Sequence, residues 1–365
     1  MTSDSSQTRN HDAKIHRHAA RRLRPLHSLW HNITVAPLET AAVFLLGILS
    51  FYLIFQALRW GIWNATFVGT KREDCTGAGA CWPFVASRYG QFLYGFYPAA
   101  ERWRVNLVGL ISVFFLVGMF LRLRILWKAL ASLVFLTVGY ALLGGGVFGL
   151  PAVETTKWGG LFLTLVIGLT GTLGSLPLGI ALALGRRSRL PVVRILSTGT
   201  VEVVRGVPLI TVLFLASVML PILLPPGTHF DKLLRALIGI TFFAGAYMAE
   251  VIRGGLEGVP PGQYEASYAL GLSAWKTMLL VILPQALRKV IPAIVNTLIG
   301  LFKDTTLVLI IGMFDLLGMV QSASTDPGWL GTSMEGYVFA GAVYWILCFG
   351  LSRVSHRLEE KAHSH

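Results

Sequence analysis

The residues that can do chemistry in this chain are a few charges set among apolar neighbours. Glu202 and Arg205 stand three apart in Val201-Glu202-Val203-Val204-Arg205-Gly206, and Glu250 and Arg253 stand three apart in Ala249-Glu250-Val251-Ile252-Arg253. Lys303, Asp304 and Asp315 follow in similar surroundings. An ionisable group in hydrocarbon is expensive, so it either finds a partner or serves a function. Residues three apart share a helical face, so Glu202 and Arg205 are expected to pair with each other, and Glu250 with Arg205 or Arg253. Between these charges runs Pro260-Pro261-Gly262-Gln263-Tyr264-Glu265-Ala266-Ser267-Tyr268-Ala269-Leu270-Gly271-Leu272-Ser273. The prolines stop one helix, and Gln263 to Leu270 is expected to form a short second one with Tyr264 and Tyr268 on one face. Glu265 is placed in its first turn, Gly271 at its left-handed end and Ser273 at the start of the next helix. This is a rigid elbow with one amphipathic face.

The elements that must position these groups are membrane spans. Of 365 residues 54% are hydrophobic and only 13% charged, against about 25% charged in a soluble domain. Charge-free runs long enough for hydrocarbon lie at 41–58, 105–121, 129–153 and 158–185, then from 206 to the prolines near 225 with a start as early as 192. A further run at 232–254 carries Glu250 and Arg253, and others lie at 290–302, with length borrowed from 285–289, and at 336–352; the ten apolar residues 305–314 read as a re-entrant or partly buried segment, not a crossing. The sum is an all-α polytopic protein of about eight spans. Lys and Arg cluster in the tail 1–36, after span two at Arg122, Arg124 and Lys128, and after span four at Arg186, Arg187, Arg189 and Arg194. That asymmetry predicts both termini in the cytoplasm and the loop 59–104 outside. The net charge of +13 is therefore assigned to topology and anionic lipid, not to nucleic acid, for which no folded basic module is present.

The remaining signals are weaker. Cys75 and Cys81 flank a glycine-rich turn on the expected outer side, a spacing that permits a disulfide in an oxidising compartment or leaves two thiols. Cys348 reads as a small buried hydrophobe. No His, Cys or carboxylate cluster has metal-ligand spacing, and Gly144-Gly145-Gly146 lacks the Lys-Ser or Lys-Thr of a nucleotide loop.

The elbow carries a specific resemblance. Glu265-Ala266-Ser267, three residues, Gly271, nine residues and Val281-Ile282-Leu283-Pro284 resemble the coupling loop of ABC importer permeases, with Ser267 and Val281 as small departures. Gly159-Gly160-Leu161, Leu184-Gly185-Arg186, the stretches around Glu202 and Glu250, Pro284-Gln285-Ala286-Leu287-Arg288 and Phe302-Lys303-Asp304-Thr305-Thr306-Leu307 resemble the polar amino-acid branch of that family. The likeness is dense over about 157–355, and with its extra N-terminal spans the chain resembles the larger permease subunit of broad-specificity L-amino-acid importers.

The resemblance implies a MetI-like core of five helices preceded by three. In boundaries, it implies a cytoplasmic tail 1–36, accessory helices 37–155, a permease domain 156–355 containing a coupling loop 259–284, and a short tail 356–365. It implies a non-enzymatic subunit of a bacterial inner-membrane importer that itself binds no cofactor. Its partners would be a second permease, two ATPase subunits that hold ATP and Mg2+, and a periplasmic amino-acid-binding protein. Glu265, Ala266, Tyr268 and Gly271 are then the residues expected to couple to the ATPase. A free amino acid is a zwitterion and needs complementary charge along its path, for which Glu250, Glu202 and Arg205 are candidates; Lys303 and Asp304 are candidates for an outer gate or dock. Two other readings of the same charges are an ion-coupled secondary transporter, which should show two matching halves, and a membrane scaffold that transports nothing.

Overall fold

The computed structural model describes residues 37–75, 77–119, 125–147, 149–223, 225 and 230–363. The basic tail 1–36 and the pair Arg122 and Arg124 lie outside the described residues. Among those described the chain is helical, with two isolated backbone bridges, Gly95 to Trp158 and Gly160 to Asp315. It divides into two compact units. The first is built on helix α1 (Pro37–Leu58), which widens into a π-helical turn over Arg59–Trp63. There Thr66 N–H donates to Ala80 O and Ala80 N–H to Trp60 O, both at 2.8 Å.

The second unit holds the rest. Helices α2 (Trp82–Tyr94), α3 (Arg102–Met119) and α4 (Ile125–Gly144) precede α5 (Gly160–Arg186). Then come α6 (Pro191–Gly206) and a helix α7 that runs Leu209–Phe214, a π-turn Leu215–Met219 and Leu220–Leu223. After α8 (Lys232–Glu257) and α9 (Pro261–Ala269), α10 passes from Ala274–Lys276 through the π-turn Thr277–Ile282 to Leu283–Lys289. The last helices are α11 (Ile291–Asp304), α12 (Leu316–Ser324) and α13 (Ser333–His363).

Among the described residues five helices are long and apolar enough to cross a membrane, and six if α6 and α7, bent by 106° at Val207–Pro208, make one broken span. The sequence expectation of eight also counted the regions of α3 and α4. Pro208 cannot donate to the ladder, which is why the helix breaks there. The segment 305–314 is partly buried, at Thr305, Val308 and Ile311, but not separate: Thr305–Ile311 tightens into a 3-10 continuation of α11, giving one span Ile291–Ile311 that Gly312 ends at φ +73°. The loop 59–104, expected outside, contains α2. That helix buries Pro83, Phe84, Val85 and Phe92, and the Cys81 N–H before it donates to Glu335 Oε1 at 2.7 Å, so a carboxylate from α13 satisfies one of its open amide groups. Cys75 and Cys81 are disulfide-bonded. Cys348 is free and only half-buried.

α5 and α8 form the spine. Gly179 faces Met248 and Gly245 faces Leu178 at distances that leave no room for a side chain, the close approach that small residues allow between helices in lipid. Two buried apolar clusters sit along this spine. One gathers Trp158, Phe162, Leu163 and Ile167 with Leu213, Leu237 and Ile240. The other, at the elbow end, joins Ala183, Val201, Met248, Ile252, Ile282 and Leu283. At the far end of the spine Asp315 is fully buried. It accepts from Tyr344 Oη at 2.6 Å and from Gly318 N–H at 2.9 Å; burial pushes its carboxyl above the usual range while these donors pull it back.

Gly160 starts α5 beside this group. Its φ is +66°, its N–H donates to Phe314 O at 2.9 Å, and a Cβ there would meet Phe92 O. Gly160→Ala should therefore cost about 1–3 kcal/mol from the left-handed backbone and the clash together. The measurement is thermal unfolding in detergent, where an unchanged midpoint would contradict this packing.

Candidate functional site

The charges singled out in the sequence converge at the elbow end of the spine. Glu250 lies seven residues before the end of α8, about 10 Å along the helix axis. Its Oε2 meets Arg186 Nη1 at 2.7 Å and Arg205 Nη1 at 3.2 Å. Its Oε1 accepts from Arg253 Nε at 2.9 Å. Arg186 comes from the last turn of α5, Arg205 from the last turn of α6 and Arg253 from α8 itself, so one carboxylate ties three helices. Arg186 Nη2 also lies 3.6 Å from Glu202 Oε1, and Arg253 Nη1 2.6 Å from Glu257 Oε1. The Arg205 guanidinium lies over the Tyr247 ring, 5.5 Å from its centroid, where the ring face attracts a cation. Three arginines and three glutamates thus form one network of balanced formal charge.

The pairing expected between Glu202 and Arg205 does not form. Both sit on α6 three residues apart, but each turns to a group on another helix: Glu202 to Arg186 and Arg205 to Glu250. The physical reason is geometry. An i,i+3 pair on one helix is worth a few tenths of a kcal/mol, whereas a guanidinium brought to a half-buried carboxylate gains a charge-assisted hydrogen bond. The pairing of Glu250 with Arg205 and Arg253 does form. Arg186 was read only as a topology charge and as part of the Leu184-Gly185-Arg186 likeness, and Glu257 was not singled out in the sequence. Within the network Glu250 is saturated and half-buried, while Glu202 is 64% exposed and Arg205 37%.

The elbow is anchored on one side and open on the other. α9 starts at Pro261, two residues before the expected start, so Glu265 falls in its second turn and not its first. Ser267 is buried, donating to Gln263 O at 2.7 Å, and Tyr264 packs on the elbow-end apolar cluster. Gly271 adopts φ +77°; its N–H donates to Tyr268 O and the Leu272 N–H to Ser267 O. Those paired bonds close the helix on a left-handed residue, as such ends require. Ser273 occupies the N-cap position of α10 without a side-chain cap bond. Arg187 Nη1 donates to Tyr264 Oη at 3.3 Å, Gln285 Nε2 to Gln263 Oε1 at 3.0 Å and Lys289 Nζ to Gly258 O at 2.5 Å, which tie the elbow to α5 and α10. The other face presents Glu265, Ala266, Tyr268, Leu270 and Trp275 to the surroundings.

Lys303 and Asp304 stand apart from this network, near the end of α11. Lys303 is exposed and Asp304 half-buried, and neither makes an ion pair among the described residues. No group of three or more His, Cys, Asp or Glu capable of holding a metal ion occurs among the described residues.

Comparison with known proteins gives this geometry a context. Residues 175–363 match the family described as binding-protein-dependent transport system inner membrane component. The chain is 54% identical over 312 residues to the inner membrane amino-acid ABC transporter permease protein YhdY of Escherichia coli, covering 85% of each chain. It is 39% identical to the glutamate/glutamine/aspartate/asparagine transport system permease protein BztC of Rhodobacter capsulatus, covering 90% of this chain and 92% of that one. A crystal structure of an amino acid ABC transporter with histidines shares 26% identity over 55% of this chain and 91% of its own, with a TM-score of 0.49.

The network can be tested by a double-mutant cycle. Glu250→Gln and Arg186→Gln should each destabilise the detergent-solubilised chain, and the coupling between them should be about 1–2 kcal/mol, discounted for partial exposure. Additive effects would mean that the pair contributes nothing.

Proposed function

Because the chain belongs to the family of binding-protein-dependent transport system inner membrane components, we propose that it is the permease subunit of an ATP-driven importer of L-amino acids. In this reading it pairs with a second permease, two ATPase subunits that bind ATP and Mg2+, and a periplasmic amino-acid-binding protein, and both its termini face the cytoplasm. The observation that carries the reading is the elbow, whose exposed face lies opposite a face anchored to the end of α5 and to α10. A short helix held by Pro261 and Gly271 moves as a body, and Tyr264 and Arg187 give it a hold on α5.

An ATPase subunit engages Glu265, Ala266 and Tyr268, and the Gly271 turn keeps α9 at a fixed angle to α10. ATP binding draws the ATPase subunits together, and the elbow passes that displacement to the ends of α5, α6 and α8 that share Glu250. The bundle then turns its opening outward to receive the amino acid from the binding protein. The exposed members of the network suit the passing zwitterion: Arg205 for its carboxylate and Glu202 for its ammonium group. Glu250, already holding three guanidinium groups, keeps Arg205 in place and accepts exchange of that partner when substrate arrives. Lys303 and Asp304, on the opposite half of α11, serve the outer gate. The relatives named above are described as amino-acid permeases, which supports the substrate class.

The test is uptake and ATP hydrolysis by the complete transporter in vesicles. Glu265→Ala should leave the complex assembled and basal hydrolysis present, but abolish stimulation by the loaded binding protein. Gly271→Ala, which imposes about 1 kcal/mol of left-handed strain, should weaken the same stimulation partially. Solute movement by this chain alone, driven by an ion gradient without an ATPase, would overturn the proposal.

A further inference from the structure

Helix α6 has a face that neither the charge network nor the elbow uses. Val193 and Ser197 lie over Gly185, and Glu202 reaches Arg186. Those α6 residues cover about 14 Å of helix, yet all of them meet α5 within its last turn. α6 therefore crosses the end of α5 instead of running beside it, and the 106° break at Val207–Pro208 then turns the chain into α7. A helix laid across the end of a membrane-spanning helix lies along the boundary between hydrocarbon and headgroups.

Its residues are sorted to match. Val201 and Val204 are buried against the neighbouring helices. Val192, Ile195, Leu196 and Val203 are exposed, each by more than 60%; with Gly199 they recur at i, i+3, i+4, i+7 and i+11 and form one stripe. Arg194 lies on Arg205's side of the helix, away from the stripe, and Arg189 stands just before the first turn. Both arginines are exposed, and neither has an ion-pair partner among the described residues. An apolar stripe on one side with unpaired cations on the other side and at the helix start is the pattern of a helix lying in a membrane interface rich in anionic lipid.

We propose that α6 is an interfacial helix that selectively holds anionic phospholipid, its Val192–Val203 stripe against the acyl chains and Arg189 and Arg194 on the headgroup phosphates. Arg186 and Arg205 are committed to carboxylates, so the two free arginines supply the charge selectivity. The proposal depends on the membrane placement of α5 and α6, not on the direction of transport or on ATP. It makes lipid composition a determinant of how firmly the charge network's α6 is seated.

The experiment uses the full chain with its co-purifying subunits in phosphatidylcholine nanodiscs. In a Cys348→Ser background, Ile195→Cys carries a fluorophore, and quenching is compared for nitroxide-labelled phosphatidylglycerol and phosphatidylcholine at equal mole fraction. The expected result is quenching by both, with the anionic lipid enriched by about fivefold for each arginine engaged. Arg189→Gln with Arg194→Gln should bring the two lipids to parity, while Arg189→Lys with Arg194→Lys should retain the preference, which separates loss of charge from loss of fold. Equal quenching by the two lipids in the unsubstituted α6 would overturn the proposal. So would absence of quenching by either, which would place a protein subunit over the stripe. Binding-protein-stimulated hydrolysis, measured on the same nanodiscs, should persist in the lysine pair; its loss there, with lipid preference intact, would count against the coupling account alone.

Discussion

A single carboxylate, on Glu250, holds guanidinium groups from α5, α6 and α8, and the organisation of the elbow end follows from it. Helices in hydrocarbon gain little from mutual apolar contact, so a half-buried charge that must be satisfied is a strong reason for them to meet at one place. Arg186 reaches Glu250 only from the last turn of α5, and Arg205 only if α6 folds across that end. The short turn 187–190 between α5 and α6 supplies that fold. Tyr264 packs on the apolar cluster formed by the same helices, so the elbow takes its position from them. The opposite end is fixed by a different device: Asp315 and Gly160 bind α5, α12 and α13 through hydrogen bonds that leave no charge pair in play.

This division fits a transporter that changes shape at one end while keeping a firm reference at the other. Arginine–carboxylate contacts that are partly exposed can exchange partners at modest cost, whereas a fully buried Asp315 with its donors cannot. On the proposed function the exposed Glu202 and Arg205 are the groups offered to a zwitterion, and Glu250 acts by holding Arg205. α2, docked through its own Phe84 and Phe92 and capped by Glu335, stiffens the far end further.

Much of the helical plan was legible in the residues. The charge-free run 158–185 is α5 within two residues, and 232–254 lies within α8, because hydrocarbon tolerates few charges and these spans obey that rule. Gly271 was legible as a left-handed stop because the residues before it form a helix that must end. Other features were not. Arg186 as partner of Glu250 is 64 residues away in sequence, and only the crossing of α5 and α8 brings them together. Glu202 and Arg205 looked like partners because local spacing is all a sequence offers, and tertiary contacts overrode it. α2 is short, with no capping signal of its own because its cap is Glu335 on α13. The run 305–314 was too short to cross alone and looked separate until its fusion with α11 made it part of one span.

The central claim is that the elbow and the helices joined at Glu250 move as one body. Pulsed electron-paramagnetic-resonance distances between nitroxides at Gly262 in α9 and Gly199 in α6, taken on the complete transporter without nucleotide and with ATP trapped, test it most directly. The account predicts a narrow distribution whose centre shifts by less than about 2 Å between the two states, while the distance from Gly262 to its counterpart in the second permease changes by more, as rigid-body rearrangement about an interface requires. A shift or broadening of the Gly262–Gly199 distance comparable to the change between permeases would contradict it, because the elbow would then swing freely of the network it is said to drive.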